Sequence, residues 1–242
     1  MLISARMKTK REESIQDILI TFEEMADIVL GQLKLLEKLM LSADPTEQET
    51  LTISILDNEN KIDRFEVIIS EKFINSIVLY QPVASDIRKL IAVYRMTLNL
   101  ERIGDSIMNI VHSYDNSKST PEYIALAEVM NVMLISGISM VEKSLLSFIN
   151  NDNEFAIWTI RNDEIVDEMN SKLLKTSVSR ARVSERTKEM LLSYMDLKTI
   201  ITNLERIADH ATNIAEASIY SIQGTDIRHS ELNPGDHRPE GD

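Results

Sequence analysis

The stretch that decides the fold is Asn99-Leu-Glu-Arg-Ile-Gly-Asp-Ser-Ile-Met-Asn-Ile110, because it recurs as Asn203-Leu-Glu-Arg-Ile-Ala-Asp-His-Ala-Thr-Asn-Ile214. The two stretches agree at eight of twelve positions, and their equivalent residues are 104 positions apart. Self-similarity at a fixed spacing is the sequence signature of a repeated structural unit. We therefore expect two copies of one unit.

Each unit is predicted to be a bundle of three long helices. Apolar residues recur at helical spacing, and Pro, Gly and polar clusters interrupt that pattern at only a few places. The halves are expected to span residues 15–120 and 121–224, with a loose basic lead-in at 1–14 and a mobile tail at 225–242. The six predicted helices cover approximately residues 15–41, 46–80, 84–114, 121–150, 154–178 and 184–222.

The composition supports an all-α class. Of the 242 residues, 43% are hydrophobic, which excludes a disordered chain, and only 6 are Gly and 5 are Pro. So few turn-forming residues disfavour a many-stranded β fold. The absence of Cys excludes disulfides and Cys-containing zinc sites, and it is compatible with a cytoplasmic protein.

The charge narrows the range of partners. A formal net charge of −13 disfavours nonspecific binding to nucleic acid or anionic lipid and favours cations or basic protein surfaces. The sequence begins without a leader of the secretory type, and no run approaches the roughly 20 apolar residues of a membrane-spanning helix. We therefore expect a soluble protein.

Paired acids of the form acid-x-x-x-Asp occur twice in each half, and residues four apart lie on one face of a helix. The offset of 104 carries both pairs of the first half onto the two pairs of the second half. Like charges at this spacing repel, so four matched pairs favour a compensating cation. The predicted ligands are Glu59, Asp63, Glu101 and Asp105 in one half, and Asp163, Asp167, Glu205 and Asp209 in the other.

The alternative is that these acids are solvated and paired with Arg102 and Arg206, three residues before Asp105 and Asp209. A helical projection opposes it, because the second acid pair of each half falls on an apolar sector, away from a polar stripe that contains the arginines. An unpaired carboxylate there must be protonated, salt-bridged or bound to metal. Lys198 is the one cation placed to neutralise the second cluster.

An all-oxygen ligand set suits Mg²⁺, Ca²⁺, Mn²⁺ or iron rather than zinc. Asn109 and Asn213, one turn beyond the acid pairs, are possible additional ligands through their amide oxygens. His210 falls in the polar stripe, so we expect it to face solvent or to form a surface contact rather than to bind metal.

These motifs resemble those of the PhoU family of phosphate-signalling proteins. The resemblance lies in Glu101-Arg-Ile-Gly-Asp105 and Glu205-Arg-Ile-Ala-Asp-His210, in Gln81-Pro-Val-Ala-Ser-Asp-Ile-Arg88, and in Ile219-Tyr-Ser-Ile-Gln-Gly224 followed by Asp226-Ile-Arg-His229. It covers about residues 15–230. One departure is Ser106, where the family commonly has His.

The resemblance implies two three-helix bundles, multinuclear metal clusters on the paired acids, and no catalytic turnover. It further implies a cytoplasmic protein, with a homodimer possible, that acts beside the phosphate ABC transporter's ATPase subunit and a sensor histidine kinase. There it would restrain phosphate-starvation genes when phosphate is plentiful. Without a Gly-rich phosphate loop, we do not expect it to bind phosphate directly.

Two other functions remain open. A di-iron oxidase would use buried acids, but that class commonly supplies Glu-x-x-His on each of two helices, and none of the four His has Glu three residues before it. The second is the cytosolic PhoU-like domain of a sodium/phosphate cotransporter, in which the basic lead-in would be the remnant of a membrane linker.

Overall fold

A computed structural model describes the backbone of residues 2–180 and 187–228 and the side chains of residues 10–173 and 191–228. Within these residues the protein is all-α, with seven helices and no strand. The helices are α1 (Leu2–Leu41), α2 (Pro45–Tyr80), α3 (Ala84–Ser117), α4 (Pro121–Ile124), α5 (Ala127–Asn150), α6 (Asn153–Arg180) and α7 (Thr187–Gln223).

The predicted boundaries between the first and second helices, at residues 41–46, and between the second and third, at residues 80–84, are confirmed. The Asp44 carboxylate accepts a hydrogen bond from the Thr46 backbone N–H at 3.0 Å, and Pro45 occupies the first turn of α2. That arrangement satisfies a donor that the start of a helix leaves unpaired. α2 ends at Tyr80, and the next residue, Gln81, adopts the left-handed conformation with φ 44°, directly before Pro82.

The predicted fourth helix is divided into α4 and α5. Tyr123 in α4 is buried against Tyr114 of α3, with ring centroids 5.5 Å apart in an edge-to-face arrangement. Leu126, also buried, stays in the right-handed region with φ −117° and ψ −7°, but its N–H donates to the Tyr123 carbonyl at 2.9 Å, three residues back rather than four. The burial of both side chains against the core accounts for the break, which no Gly or Pro marks in the sequence.

Residues 2–14 of the predicted lead-in form the first part of α1, and the Arg11 guanidinium lies 3.3 Å from the Asp86 carboxylate of α3. The predicted start of the last helix at Ser184 lies outside the described residues, as does the predicted tail beyond residue 228.

The two predicted three-helix bundles are present, formed by α1, α2 and α3 and by α5, α6 and α7. α3 packs along α7 and α1 against α5, so that one continuous hydrophobic core includes both bundles. Phe22 of α1 and Phe148 of α5 meet edge to face across the junction, with centroids 5.8 Å apart. The sequence repeat therefore predicts the order of the helices in each bundle, but the two bundles share one hydrophobic core.

α5 is, within the described part of the chain, the one helix long and apolar enough to cross a membrane by length and composition. Its most apolar window has a mean hydropathy of 1.6, but 56% of that window is buried inside the protein. Met130, Met133 and Met140 are fully buried. The core helix of a bundle passes the same test, so α5 is weak evidence for a membrane span.

Candidate metal centres

The first acidic cluster lies between α2 and α3. Glu59 and Asp63 project from α2, and Glu101 and Asp105 project from α3. The charges of Asp63, Glu101 and Asp105 are close enough to Glu59 to raise its pKa. Burial raises the pKa of Glu59 to about 7; a hydrogen bond from Gln32 opposes the rise, and the three neighbouring carboxylates add to it. The structure therefore brings the four predicted acids together.

Gln32 of α1 holds Glu59 in place. Its Nε2 donates to Glu59 Oε2 at 2.8 Å and to the Ile55 carbonyl at 3.2 Å, and its side chain is 0% exposed. Sequence reasoning missed this residue. The signal was present, because Gln32 interrupts an otherwise apolar sector of α1, and a buried polar side chain in such a place needs a partner.

Gly104 makes room for the Glu59 carboxylate. A Cβ at position 104 would lie 2.7 Å from Glu59 Oε2 and 3.2 Å from Oε1, both shorter than ordinary van der Waals contacts. In the second repeat the equivalent pair is Ala208 and Asp163. The longer acid, Glu59, thus occurs with glycine, and the shorter acid, Asp163, occurs with alanine.

A fifth acid, Glu66, belongs to the neighbourhood of the first cluster. Burial raises the pKa of Glu101, and the charges of Asp105, Glu66 and Asp63 add to the rise while Arg102 opposes it. Glu66 was not predicted. Its equivalent in the second half is Asn170, so comparison of the repeats did not reveal it.

The second cluster lies between α6 and α7 and repeats the arrangement. One carboxylate oxygen each from Asp163, Asp167 and Asp209 lies within 4.8 Å of the others. Burial raises the pKa of Asp163 to about 6, with repulsion from Asp209 and Asp167 adding to it. Burial also raises the pKa of Asp209 to about 6, with Glu205 and Asp167 adding. All four predicted acids of this half therefore share one site.

A cation fits the second cluster because one of its carboxylate oxygens is buried and incompletely paired. Oδ1 of Asp163 has no hydrogen bond of ordinary geometry, although the neighbouring Thr212 hydroxyl is close enough to lower the pKa of this carboxyl. A buried carboxylate oxygen without a partner is costly, and a coordinated metal removes that cost. Several oxygens converging within a few ångströms are the ligand set of Mg²⁺, Ca²⁺ or Mn²⁺.

Ion pairs do not account for the clusters. Within the described residues, Arg102 forms no ion pair with Asp105 and Arg206 forms none with Asp209, although both are close in sequence. The same set of contacts contains no ion pair of Lys198, which is exposed. The proposed neutralising role of this lysine is therefore absent from this structure.

The two asparagines predicted as additional ligands, Asn109 and Asn213, form no hydrogen bond to the acidic clusters in the part of the chain that the structure describes. Asn109 is exposed and, among the described side chains, makes no hydrogen bond to a cluster carboxylate, while Asn213 lines a separate small cavity with Arg95 and Arg102. Whether either asparagine binds metal stays a prediction.

The expectation for His210 needs correction. It does not face solvent but lies half-buried between α3 and α7, with Nδ1 3.1 Å from Asn99 Oδ1. Burial lowers its pKa to about 4, and the charges of Arg102 and Arg206 lower it further. The helical projection placed His210 correctly in the polar stripe, but that stripe is part of the contact between the two repeats.

Fold and site together define a class of tandem helical protein, with one carboxylate cluster between the second and third long helices of each repeat. A family model described as the PhoU domain matches residues 22–113 and 130–218, which is both repeats. The chain belongs to the PhoU family.

Known relatives extend over most of the chain. It is 31% identical over 215 residues to the phosphate-specific transport system accessory protein PhoU homolog of Aquifex aeolicus, covering 87% of this chain and 95% of that one. A Burkholderia protein of the same name is 30% identical over 177 residues, which are 72% of this chain and 74% of that one.

Solved structures share the fold. The crystal structure of PhoU from Pseudomonas aeruginosa superposes with a TM-score of 0.76 at 24% identity, covering 88% of this chain and 99% of that one. The phosphate transport system regulatory protein PhoU from Streptococcus pneumoniae gives 0.68 at 20% identity, covering 89% and 98%.

Proposed function

We propose that this protein is a non-enzymatic regulator of phosphate uptake and of phosphate-starvation signalling. The observation that carries the proposal is membership of the PhoU family across both repeats. It is supported by the Aquifex aeolicus relative, which is named as a phosphate-specific transport system accessory protein and is matched over 95% of its length.

The two acidic clusters are proposed to hold metal ions. The first would use Glu59, Asp63, Glu101 and Asp105, and the second would use Asp163, Asp167, Glu205 and Asp209. Their mutual repulsion, partial burial and lack of paired arginines support this assignment. A bound hard cation, or iron, would neutralise the carboxylates and tie α2 to α3 and α6 to α7.

The proposed partners are the ATPase subunit of the phosphate ABC transporter and the sensor histidine kinase. In this proposal the protein, as a monomer or homodimer in the cytoplasm, couples the state of the transporter to the kinase and restrains starvation genes when phosphate is plentiful. The net charge of −13 favours basic docking surfaces on both partners. One continuous core supports such coupling, because it lets both repeats move as a unit.

A complementation experiment tests the proposal. A strain lacking this protein would carry a reporter of phosphate-starvation transcription and express the wild type or the variant Glu101→Ala/Asp105→Ala/Glu205→Ala/Asp209→Ala. We expect the wild type to silence the reporter in high phosphate and the variant to leave it active.

The matched control is Glu23→Ala/Glu24→Ala, which removes two exposed acids from α1 far along the chain from either cluster. It should behave as the wild type does. A wild-type protein that leaves the reporter unchanged, and that fails to retain the transporter ATPase or the kinase in a pull-down, would refute the regulatory role. Full silencing by the quadruple variant would refute only the role of the clusters.

A further inference from the structure

A small cavity of about 130 Å³ lies on the seam where α3 packs along α7. It is built from α3, α7 and the four residues that follow Gly224, and it is not lined by any of the eight predicted metal ligands. Its polar lining consists mainly of arginine and amide side chains, namely Arg95, Asn99, Arg102, Asn213 and Arg228.

Three arginines line this one cavity, although the chain has only 26 basic residues against 39 acidic ones. Each guanidinium keeps its charge at any physiological pH and offers a planar set of donors that matches carboxylate or phosphate oxygens. Arg95 is held by a cation–π contact, with its guanidinium carbon 5.1 Å from the centre of the Tyr220 ring. The cavity therefore presents an ordered set of positive donors.

The cavity already binds an anionic group, which is the chain's own Asp226. Arg228 contacts its carboxylate with both ends of the guanidinium, Nε donating to Oδ1 at 2.8 Å and Nη2 to Oδ2 at 2.6 Å. Arg95 Nη1 lies 3.6 Å from Oδ2. Hydrogen bonding from Arg228 lowers the pKa of Asp226 to about 2, so the group is an anion at neutral pH.

Gly224 directs Asp226 to this place. It ends α7 with a φ of +76°, a conformation that residues with a Cβ rarely adopt, and its N–H donates to the Tyr220 carbonyl at 2.9 Å. A Cβ there would also lie 3.3 Å from Arg88 Nε. The turn carries residues 225–228 back across the seam, where Asp226 covers the arginines.

We propose that this cavity is a binding site for a small tetrahedral oxyanion of the phosphate or sulfate type, and that Asp226 competes with the ligand for Arg95 and Arg228. The third arginine, Arg102, and the amide of Asn213 provide donors that Asp226 does not use. The Asn99 amide already donates to the Arg95 carbonyl at 2.8 Å, which leaves it one N–H for a ligand. Glu216 also lines the cavity, so its charge and that of Asp226 keep the affinity of the wild type low.

The proposal extends beyond the regulatory role and does not depend on the acidic clusters. It replaces the expectation that phosphate is not bound directly. The sequence offered no phosphate loop, but the donors here come from Arg95 and Arg102 on one helix and from Arg228 at the far end of the chain.

Calorimetric titration of the metal-free full chain with inorganic phosphate, and separately with sulfate, tests the site. Asp226→Asn keeps the shape of the side chain and removes its charge, so we expect it to bind phosphate about tenfold more tightly than the wild type. Adding Arg95→Gln or Arg228→Gln to Asp226→Asn should weaken binding by about tenfold or more. Arg161→Gln, which removes an exposed arginine of α6, is the control and should match its parent.

Arg228 lies beyond α7, so its variant tests the site without disturbing the bundles. Chelation of metal beforehand separates this site from the clusters, because phosphate held by cluster metals would be lost with them. Equal affinities for the wild type and Asp226→Asn, or no binding by Asp226→Asn at millimolar phosphate, would overturn the proposal. In that case Asp226 would be only a latch for the C-terminal segment.

Discussion

Replacing Gly104 by alanine should weaken metal binding by the first repeat while changing the stability of the protein only slightly. Within a helix, Gly→Ala stabilises by up to about 1 kcal/mol. The new Cβ would stand 2.7 Å from Glu59 Oε2, so the carboxylate must move away from Gln32, to which it is now bonded at 2.8 Å. Loss of that hydrogen bond costs about 0.5–1.5 kcal/mol, and the free energy of unfolding should therefore change by less than about 1 kcal/mol.

Metal binding should respond much more strongly. A displaced supporting contact in a metal site costs roughly 10- to 100-fold in affinity. Titration of chelator-treated protein with Mn²⁺ should show weakened binding at one cluster and unchanged binding at the other. Ala208→Gly is the matched control, because it loses helix stability without creating a clash at Asp163. Wild-type Mn²⁺ binding by Gly104→Ala would refute the account of how Glu59 is positioned.

Three further predictions concern the folded protein without metal. Because the pKa of Glu59 rises from 4.5 to about 7 on folding, wild type should lose stability relative to Glu59→Gln as pH increases through that range, and the difference should level off above about pH 7. The full rise in pKa corresponds to about 3 kcal/mol of unfolding free energy, which solvent screening reduces to about 1–2 kcal/mol. Urea denaturation of both proteins measures this difference, and a difference that does not change with pH would contradict the prediction. His210, whose folded pKa is about 4, should stabilise the wild type relative to His210→Asn above pH 6.5 and progressively less as pH falls towards 4, measured in the same way. Phe22→Ala should cost about 3–5 kcal/mol and leave one calorimetric unfolding transition, whereas two transitions would show that the bundles unfold separately.

The fold was largely predictable because its determinants are local. Helical spacing of apolar residues, the Asp44-Pro45 start and the Pro82 break act within a few residues of where they lie, and the repeat reports the topology directly. The division between α4 and α5 was not predictable in this way. It depends on Tyr123 packing against Tyr114, a contact between helices that no local pattern shows.

The carboxylates of the site were predictable for a related reason, since paired acids on one face of a helix follow from their spacing alone. The groups that position them were not. Gln32 comes from a different helix, and Glu66 has no acidic equivalent in the second repeat. The location of His210 between the repeats depends on how α3 and α7 pack, which the projection of a single helix does not contain.

Metal analysis by plasma mass spectrometry tests most directly whether the two carboxylate clusters hold metal. Protein would be purified without an affinity tag or chelator, beside the variant Glu101→Ala/Asp105→Ala/Glu205→Ala/Asp209→Ala. We expect stoichiometric metal in the wild type and its loss from the variant. Metal absent from both proteins, or present equally in both, would contradict this expectation.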